Sequence, residues 1–157
     1  MLNVKQILLL VVAFAFVAID AAFSQSKVKV DSLTALLNKY PKEDTVKARL
    51  LIELSDASID VSDFKGGIAY SDKALAIIAN ANAPLLKADA LTSKANNLML
   101  ISEYIKAIEY AKEALGIYKQ WQQTPKMARV YYLLGRGHEL KSEYDTAIKY
   151  TEEIGRA

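Results

Sequence analysis

Cysteine is absent from this 157-residue sequence, and proline, glycine and histidine are scarce, with three, six and one residues respectively. The absence of cysteine excludes a disulfide-stabilised scaffold, a thiolate zinc site and a cysteine nucleophile. An excess of one charge is also lacking, because 20 lysines and arginines face 18 acidic residues and leave a formal net charge of +2. So small a net charge gives no indication of nucleic acid or an anionic membrane as the partner.

The apolar residues, 52% of the chain, are concentrated at its beginning, where the run Ile7–Ile19 is unbroken. Lys5 precedes this run, and the small residues Ala22 and Ser24 follow it. This order is typical of a secretory signal peptide, here cleaved near Ser24 and Gln25. Thirteen helical residues span roughly 20 Å against the ~30 Å core of a bilayer, so a retained anchor is the weaker alternative. We therefore expect an exported chain, periplasmic or secreted, with no stable membrane span after cleavage.

The rest of the chain repeats a motif at a spacing of 40 residues, in Ser62–Phe64, Ser102–Tyr104 and Ser142–Tyr144. The match continues downstream in Gly67, Ala107 and Ala147, in Ile68, Ile108 and Ile148, and in Tyr70, Tyr110 and Tyr150. Around each motif, apolar residues recur at i, i+3, i+4 and i+7, which predicts one amphipathic helix before it and one after it. Strand signals are absent, so the sequence predicts an all-α chain of helix pairs.

Capping residues and prolines mark the expected helix ends. The serine and acidic residue of each motif predict a turn and an N-cap for the second helix. Pro41, Pro84 and Pro125 each stand shortly before a first helix, with Thr124 as N-cap and Pro125 at the first helical position. One further short helix is predicted over Asp31–Tyr40, with Asp31 as its N-cap.

These units resemble tetratricopeptide repeats (TPRs), which place small residues where two helices cross and an aromatic residue at the start of the second helix. The resemblance covers Thr45 to Ala157, although the 40-residue period exceeds the family's usual ~34. Two departures are Gly67, in place of the crossing alanine, and Lys94, where a core leucine is expected and looser packing is predicted. The matching residues are Leu51, Leu54, Phe64 and Ala74 in the first unit, Leu91, Ala95, Leu98, Tyr104, Ala107 and Ala114 in the second, and Tyr131, Leu134, Gly135, Tyr144, Ala147 and Ile154 in the third.

The resemblance implies a right-handed α-solenoid of about three helix pairs with a short N-terminal helix, following the signal peptide. The expected segments are a signal peptide (1–24), a linker with a capping helix (25–44), and repeats at 45–84, 85–124 and 125–157. The resemblance further implies a non-catalytic scaffold that binds a protein or peptide in a concave groove. The alternative is the N-terminal sensor part of a longer bacterial histidine kinase or transcriptional regulator, since long-period repeats resemble the extracytoplasmic portions of such proteins.

First helices line the concave surface in this family, so the resemblance also implies a set of groove residues. Their mixed charges and apolar anchors favour a peptide or a helix over a polyanion, and a merely solvated helix face is the alternative. Tyr132 and Arg136 are the strongest candidates, because aromatic residues and arginine supply most interface hot spots. The candidate groove residues are Arg49, Ile52, Asp56, Asn96, Met99, Arg129, Tyr132 and Arg136, with Ile59, Asp60, Asp89, Thr92, Leu100 and Glu139 beside them.

No catalytic constellation emerges from the sequence. His138 lacks the second histidine of a zinc-binding helix. Ser62 and Lys65 have the spacing of a Ser/Lys nucleophile but lack its companion motifs. Gly135 and Gly137 are not followed by the third glycine of a dinucleotide-binding loop. We therefore expect no enzymatic activity, no metal and no cofactor.

Overall fold

The computed structural model describes Lys5 and residues 24–156, and residues 24–156 form seven helices without a strand. Each helix from α2 onward packs against the next, and α4 also contacts α2 and α6. The predicted TPR-like α-solenoid of three helix pairs is therefore confirmed. The helices are α1 (24–39), α2 (Thr45–Asp60), α3 (Phe64–Ile78), α4 (Pro84–Leu100), α5 (Tyr104–Gln120), α6 (Thr124–Leu140) and α7 (Tyr144–Ile154).

The predicted signal peptide lies outside the described residues, apart from Lys5 and Ser24. Among the described helices, none has the length and apolar character needed to cross a bilayer.

Helix α1 is longer than the sequence predicted. The helix is already present at residue 24, so Asp31 lies inside it and the predicted N-cap at Asp31 is wrong. The apolar face extends back to Val30, which packs with Leu33 against Leu54 and Ala57 of α2. Tertiary packing of an amphipathic face supplies most helical stability, and this contact supports the helix upstream of the expected start.

The turn inside each helix pair is closed by backbone hydrogen bonds rather than by the serine side chain. Ser62, Ser102 and Ser142 adopt left-handed conformations, with φ of 59°, 65° and 61°. In the first turn, the Asp63 amide donates to the Ser58 carbonyl at 2.8 Å, five residues back, and the other turns repeat this pattern. This is the Schellman arrangement that satisfies the last carbonyls of a helix. The serines therefore end the first helix of each pair.

The predicted N-caps are confirmed in only one of the three pairs. Asp63 accepts a hydrogen bond from the Gly66 amide at 3.0 Å. Glu103 and Glu143 occupy the same position but accept none from the helix start, so the cap prediction is wrong there. The shorter carboxylate side chain of aspartate suits the geometry of an N-cap. Helix α6 likewise has Gln123 as N-cap instead of Thr124, because the Gln123 carbonyl accepts from the amides that begin the helix.

Small residues allow the helices to approach closely. Ala107 is fully buried and Ala147 nearly so, as expected for crossing positions. At Gly67, the missing side chain leaves space for a residue of the neighbouring helix. A Cβ built there would lie 2.6 Å from Cγ of Asn97, so this glycine makes room for the Asn97 side chain. A side chain at the crossing sets the distance between two helix axes.

The side chain of Asn97 connects the first repeat to the second by hydrogen bonds. It is fully buried, and its Nδ2 donates to the Ser55 carbonyl at 3.1 Å and to the Ser93 carbonyl at 3.0 Å. The Ser55 hydroxyl in turn lies 2.7 Å from that of Ser71 in α3. These bonds satisfy the buried Nδ2 of Asn97 and fix the relative position of α2, α3 and α4, while its Oδ1 has no hydrogen-bond partner among the described residues.

The loose packing expected at Lys94 is not found. Its side chain is 12% exposed and pairs with Asp72 at 2.7 Å. Its Nζ also donates to the Tyr110 hydroxyl at 2.9 Å and lies 4.0 Å from the centre of that ring. Burial alone lowers the pKa of Lys94, but the hydrogen bonds to Asp72 and Tyr110 raise it above its ordinary value. The charged lysine therefore occupies the leucine position with its partners in place.

Gly67→Ala tests the contact with Asn97. We expect the substitution to lower the free energy of unfolding by about 1–3 kcal/mol, because overpacking forces the Asn97 network to shift. Urea denaturation at pH 7 measures this change. Gly116→Ala is the matched control, since a Cβ there would have no heavy atom within 4 Å apart from the backbone of its own helix and its chain neighbours. It should stabilise the chain by roughly 0.5–1 kcal/mol through the helix preference of alanine. Equal effects at the two glycines would contradict the role given to Gly67.

Candidate partner-binding groove

Helices α2, α4 and α6, the first helices of the three pairs, line one cleft of about 330 Å³, which we name the groove. Its floor contains the apolar side chains of Ile52 and Leu86, both buried. Its walls carry three cationic and three anionic side chains, so the groove has no net formal charge. The charged residues are Arg49, Lys126 and Arg129 against Glu53, Asp56 and Asp89.

Asp89 is neutralised by two neighbours at the centre of the groove. Lys126 Nζ contacts its two carboxylate oxygens at 2.6 and 2.8 Å. The Tyr118 hydroxyl donates to the same carboxylate at 2.7 Å, from the last turn of α5. Burial raises the pKa of Tyr118 above its ordinary value, so this hydroxyl remains a donor at physiological pH. The resulting cluster ties α4, α5 and α6 together.

Asp56 is neutralised in the same way, and its contacts connect α2 with α4 and α6. Ser93 donates to its Oδ1 at 2.8 Å from α4, and Arg129 Nη2 donates to the same oxygen at 3.0 Å from α6. The Arg129 side chain is 48% exposed. Ion pairs with such exposure contribute typically 0–1 kcal/mol to stability.

Arg49 and Glu53 differ from the other charged residues of the groove. Both side chains are exposed on α2, and within residues 24–156 neither has an ion-pair partner within 4 Å. They line the groove next to Ile52. A ligand entering the groove therefore meets an unpaired cation, an unpaired anion and an apolar surface side by side.

The structure brings together half of the eight principal candidates named from the sequence. Arg49, Ile52, Asp56 and Arg129 line the groove. The others lie elsewhere: Asn96 is half-buried on α4, Met99 is buried in the core beside Ala107, and Tyr132 and Arg136 line a second cleft between α6 and α7. Among the accompanying candidates, Asp89 and Thr92 line the groove, Glu139 lies in the second cleft, and Ile59, Asp60 and Leu100 line neither.

Sequence reasoning missed six groove residues, namely Glu53, Leu86, Ser93, Tyr118, Pro125 and Lys126. Glu53 and Leu86 are on first helices, and the charge of Glu53 next to Arg49 was a usable signal. Tyr118 follows the apolar pattern of α5, and that pattern by itself indicates a packing residue. Its buried ring does pack, but its hydroxyl reaches the groove because α5 crosses α4 close to Asp89.

His138, the one histidine of the sequence, has structural partners. His138 is buried, stacks on Tyr150 with 5.5 Å between ring centres, and has Nδ1 2.5 Å from Glu143 Oε2. Hydrogen bonds from Lys141 and then His138 lower the pKa of Glu143. Over the described part of the chain, no group of three or more His, Asp or Glu side chains is arranged to hold a metal ion.

Comparisons with known proteins support the fold. No family model matches the sequence, and no curated protein matches it. Among solved structures, the chain is similar to a Podosopora anserina protein described as a kinesin light chain with nearly identical TPR-like repeats. The TM-score is 0.71 at 16% sequence identity, over 83% of this chain and 66% of that one. The chain therefore spans just under two thirds of that protein, and the likeness concerns the fold alone.

Tyr118→Phe tests the cluster around Asp89. We expect the free energy of unfolding to fall by about 1–2 kcal/mol, because the variant loses a buried hydrogen bond to a carboxylate. Chemical denaturation at pH 7 measures the difference. Tyr144→Phe is the matched control, since Tyr144 is 60% exposed and its hydroxyl has no partner in the described chain. Surface changes of this kind stay within about 0.5 kcal/mol. Similar losses in the two variants would contradict the role of the buried hydroxyl.

Proposed function

We propose that this chain is an exported, non-catalytic binding protein that holds a segment of another protein in the groove. The TPR-like fold supports this function, since such folds are typically interaction scaffolds. A concave surface formed by successive helix pairs suits an extended peptide or a helix. The balanced charge of the groove argues against a polyanionic ligand, because nucleic acid binding depends on an excess of basic groups.

The pairing of charges in the groove is the observation that carries the proposal. Asp56 and Asp89 are neutralised by residues of the chain, whereas Arg49 and Glu53 remain exposed beside Ile52. Exposed charges next to an apolar floor are available to a ligand without first breaking an internal pair. Charged groups fix register and orientation at an interface, and apolar anchors supply most of the affinity.

The chemistry of the groove also limits the ligand. A fitting segment carries a carboxylate opposite Arg49, a basic side chain opposite Glu53, and a large apolar side chain that reaches Ile52 and Leu86. The cleft volume of about 330 Å³ is at the lower end for a small-molecule pocket. We therefore expect the ligand to enter with one or two side chains while the rest of the segment lies along the helices.

Binding of peptides tests this proposal. A display library of random 12-residue peptides is selected on the immobilised chain, and enriched peptides are measured by fluorescence anisotropy. We expect them to combine an acidic residue with a large apolar one. Arg49→Glu should weaken their binding tenfold or more, because it replaces an attractive charge by a repulsive one.

Lys65→Glu is the control for this experiment, since it makes the same change of charge at an exposed residue of α3 outside the groove. It should leave the affinity within twofold of that of the unaltered chain. Equal loss in the two variants would indicate a general electrostatic effect, and full binding to Arg49→Glu would place the site elsewhere. Failure to enrich any peptide would also contradict the proposal.

Export is tested by the mass of the accumulated protein. We expect the chain produced in a bacterial host to begin near Gln25, because a signal peptidase removes the apolar segment. Intact-mass spectrometry of the purified protein locates the cleavage site. Leu10→Arg interrupts the apolar run and should block processing. A mature protein that still begins at Met1 would contradict the signal peptide.

A further inference from the structure

The second cleft lies between α6 and α7, on a face where several large apolar side chains are exposed to solvent. We name this surface the terminal face and define it by Tyr132, Arg136, Glu139, Tyr144, Ile148 and Glu152. The cleft has a volume of about 650 Å³. Tyr132, Tyr144 and Ile148 are 54%, 60% and 57% exposed. A cluster of exposed large apolar residues on a folded chain marks an interaction surface.

The same face is covered in the two preceding repeats. Ile148 lies 40 residues after Ile108, which is 5% exposed. Gly137 of α6 covers Ile108 so closely that a Cβ at residue 137 would lie 2.8 Å from its Cγ1. One repeat earlier, Ile68 of α3 packs against Leu98 and Met99 of α4. The terminal face is therefore the third copy of a helix-receiving surface, and the described residues leave it uncovered.

The terminal face differs from its two earlier copies in charge. Glu139 replaces the buried Met99, and Arg136 replaces the half-buried Asn96. Neither Arg136 nor Glu139 has an ion-pair partner within residues 24–156, and Glu152 has only Arg156, at 3.8 Å. Whatever covers this face has to supply an acidic group to Arg136 and a basic group to Glu139 or Glu152, as well as apolar contact with Ile148.

We infer that a second copy of this chain covers the terminal face, in a dimer with a twofold axis near Ile148. A twofold axis brings the patch against itself, and the inferred dimer places Arg136 of each copy opposite Glu139 or Glu152 of the other. The patch holds both signs of charge around an apolar centre and is therefore complementary to itself. Isologous dimers of this kind are the commonest soluble oligomers, and exposed tyrosines with an arginine are typical of their interfaces.

Dimer formation is tested on the purified protein, in the processed or unprocessed form in which the expressing cells accumulate it. Light scattering after size exclusion, between 1 and 200 µM, should give a mass that reaches twice that of the monomer and stops there. Ile148→Asp should weaken dimerisation at least tenfold, because it places a charge on the axis against its own copy. Ile105→Asp is the matched control, since Ile105 is 65% exposed on α5 and outside the terminal face. It should dimerise normally.

Cysteine cross-linking tests the symmetry of the dimer, because the chain has no cysteine of its own. Ile148→Cys should form a disulfide-linked dimer under mild oxidation, since a residue near a twofold axis meets its own copy. Ile105→Cys should cross-link far more slowly. A monomer at 200 µM would overturn the inference. A mass that keeps growing with concentration would also overturn it, because it would indicate head-to-tail assembly through α1. Circular dichroism verifies that the variants remain helical.

Discussion

The close approach of helices at small residues is the constraint on which this structure depends. A single helix pair cannot bury its apolar face by itself, so each pair is stable only against its neighbours. Ala107 and Ala147 permit this approach at two crossings. At the third, Gly67 leaves space for Asn97, whose hydrogen bonds connect two repeats. The arrangement of the first helices, and hence the groove between them, depends on these contacts.

The groove adds polar connections to this apolar framework. Asp56 connects α2 to Arg129 of α6, and Asp89 connects α4 to Lys126 and Tyr118. The Asp56–Arg129 pair joins the first repeat to the third, and the Asp89–Lys126 pair joins the second to the third, so both pairs span the concave surface while they neutralise most of its charge. The exposed pairs contribute little to stability individually. Their larger effect is selective, because they leave only a few charged groups free to interact with a ligand.

The repeat pattern was sufficient to predict the fold, because apolar periodicity and a 40-residue spacing depend only on the order of residues. It was less informative about side chains. Tyr118 has the spacing of a packing residue and is one, yet its hydroxyl reaches Asp89 through the crossing of α5 and α4, which no local pattern contains. Met99 was assigned to the concave surface by position in the repeat, but the tight approach of Gly137 of α6 buries it. The predicted cap at Asp31 is wrong because contact with α2 extends α1 upstream.

The left-handed turns affect which amino-acid substitutions the chain can accept during evolution. Four turns, at Ser62, Ser102, Gln122 and Ser142, have φ between 51° and 65° and are closed by main-chain hydrogen bonds. Their geometry therefore depends little on which side chains the helices carry. Substitutions of Arg49 and Glu53, which have no ion-pair partner in residues 24–156, therefore leave both the turns and the hydrogen bonds between helices in place. New ligand preferences can evolve at these exposed positions without a change in the ends of the helices.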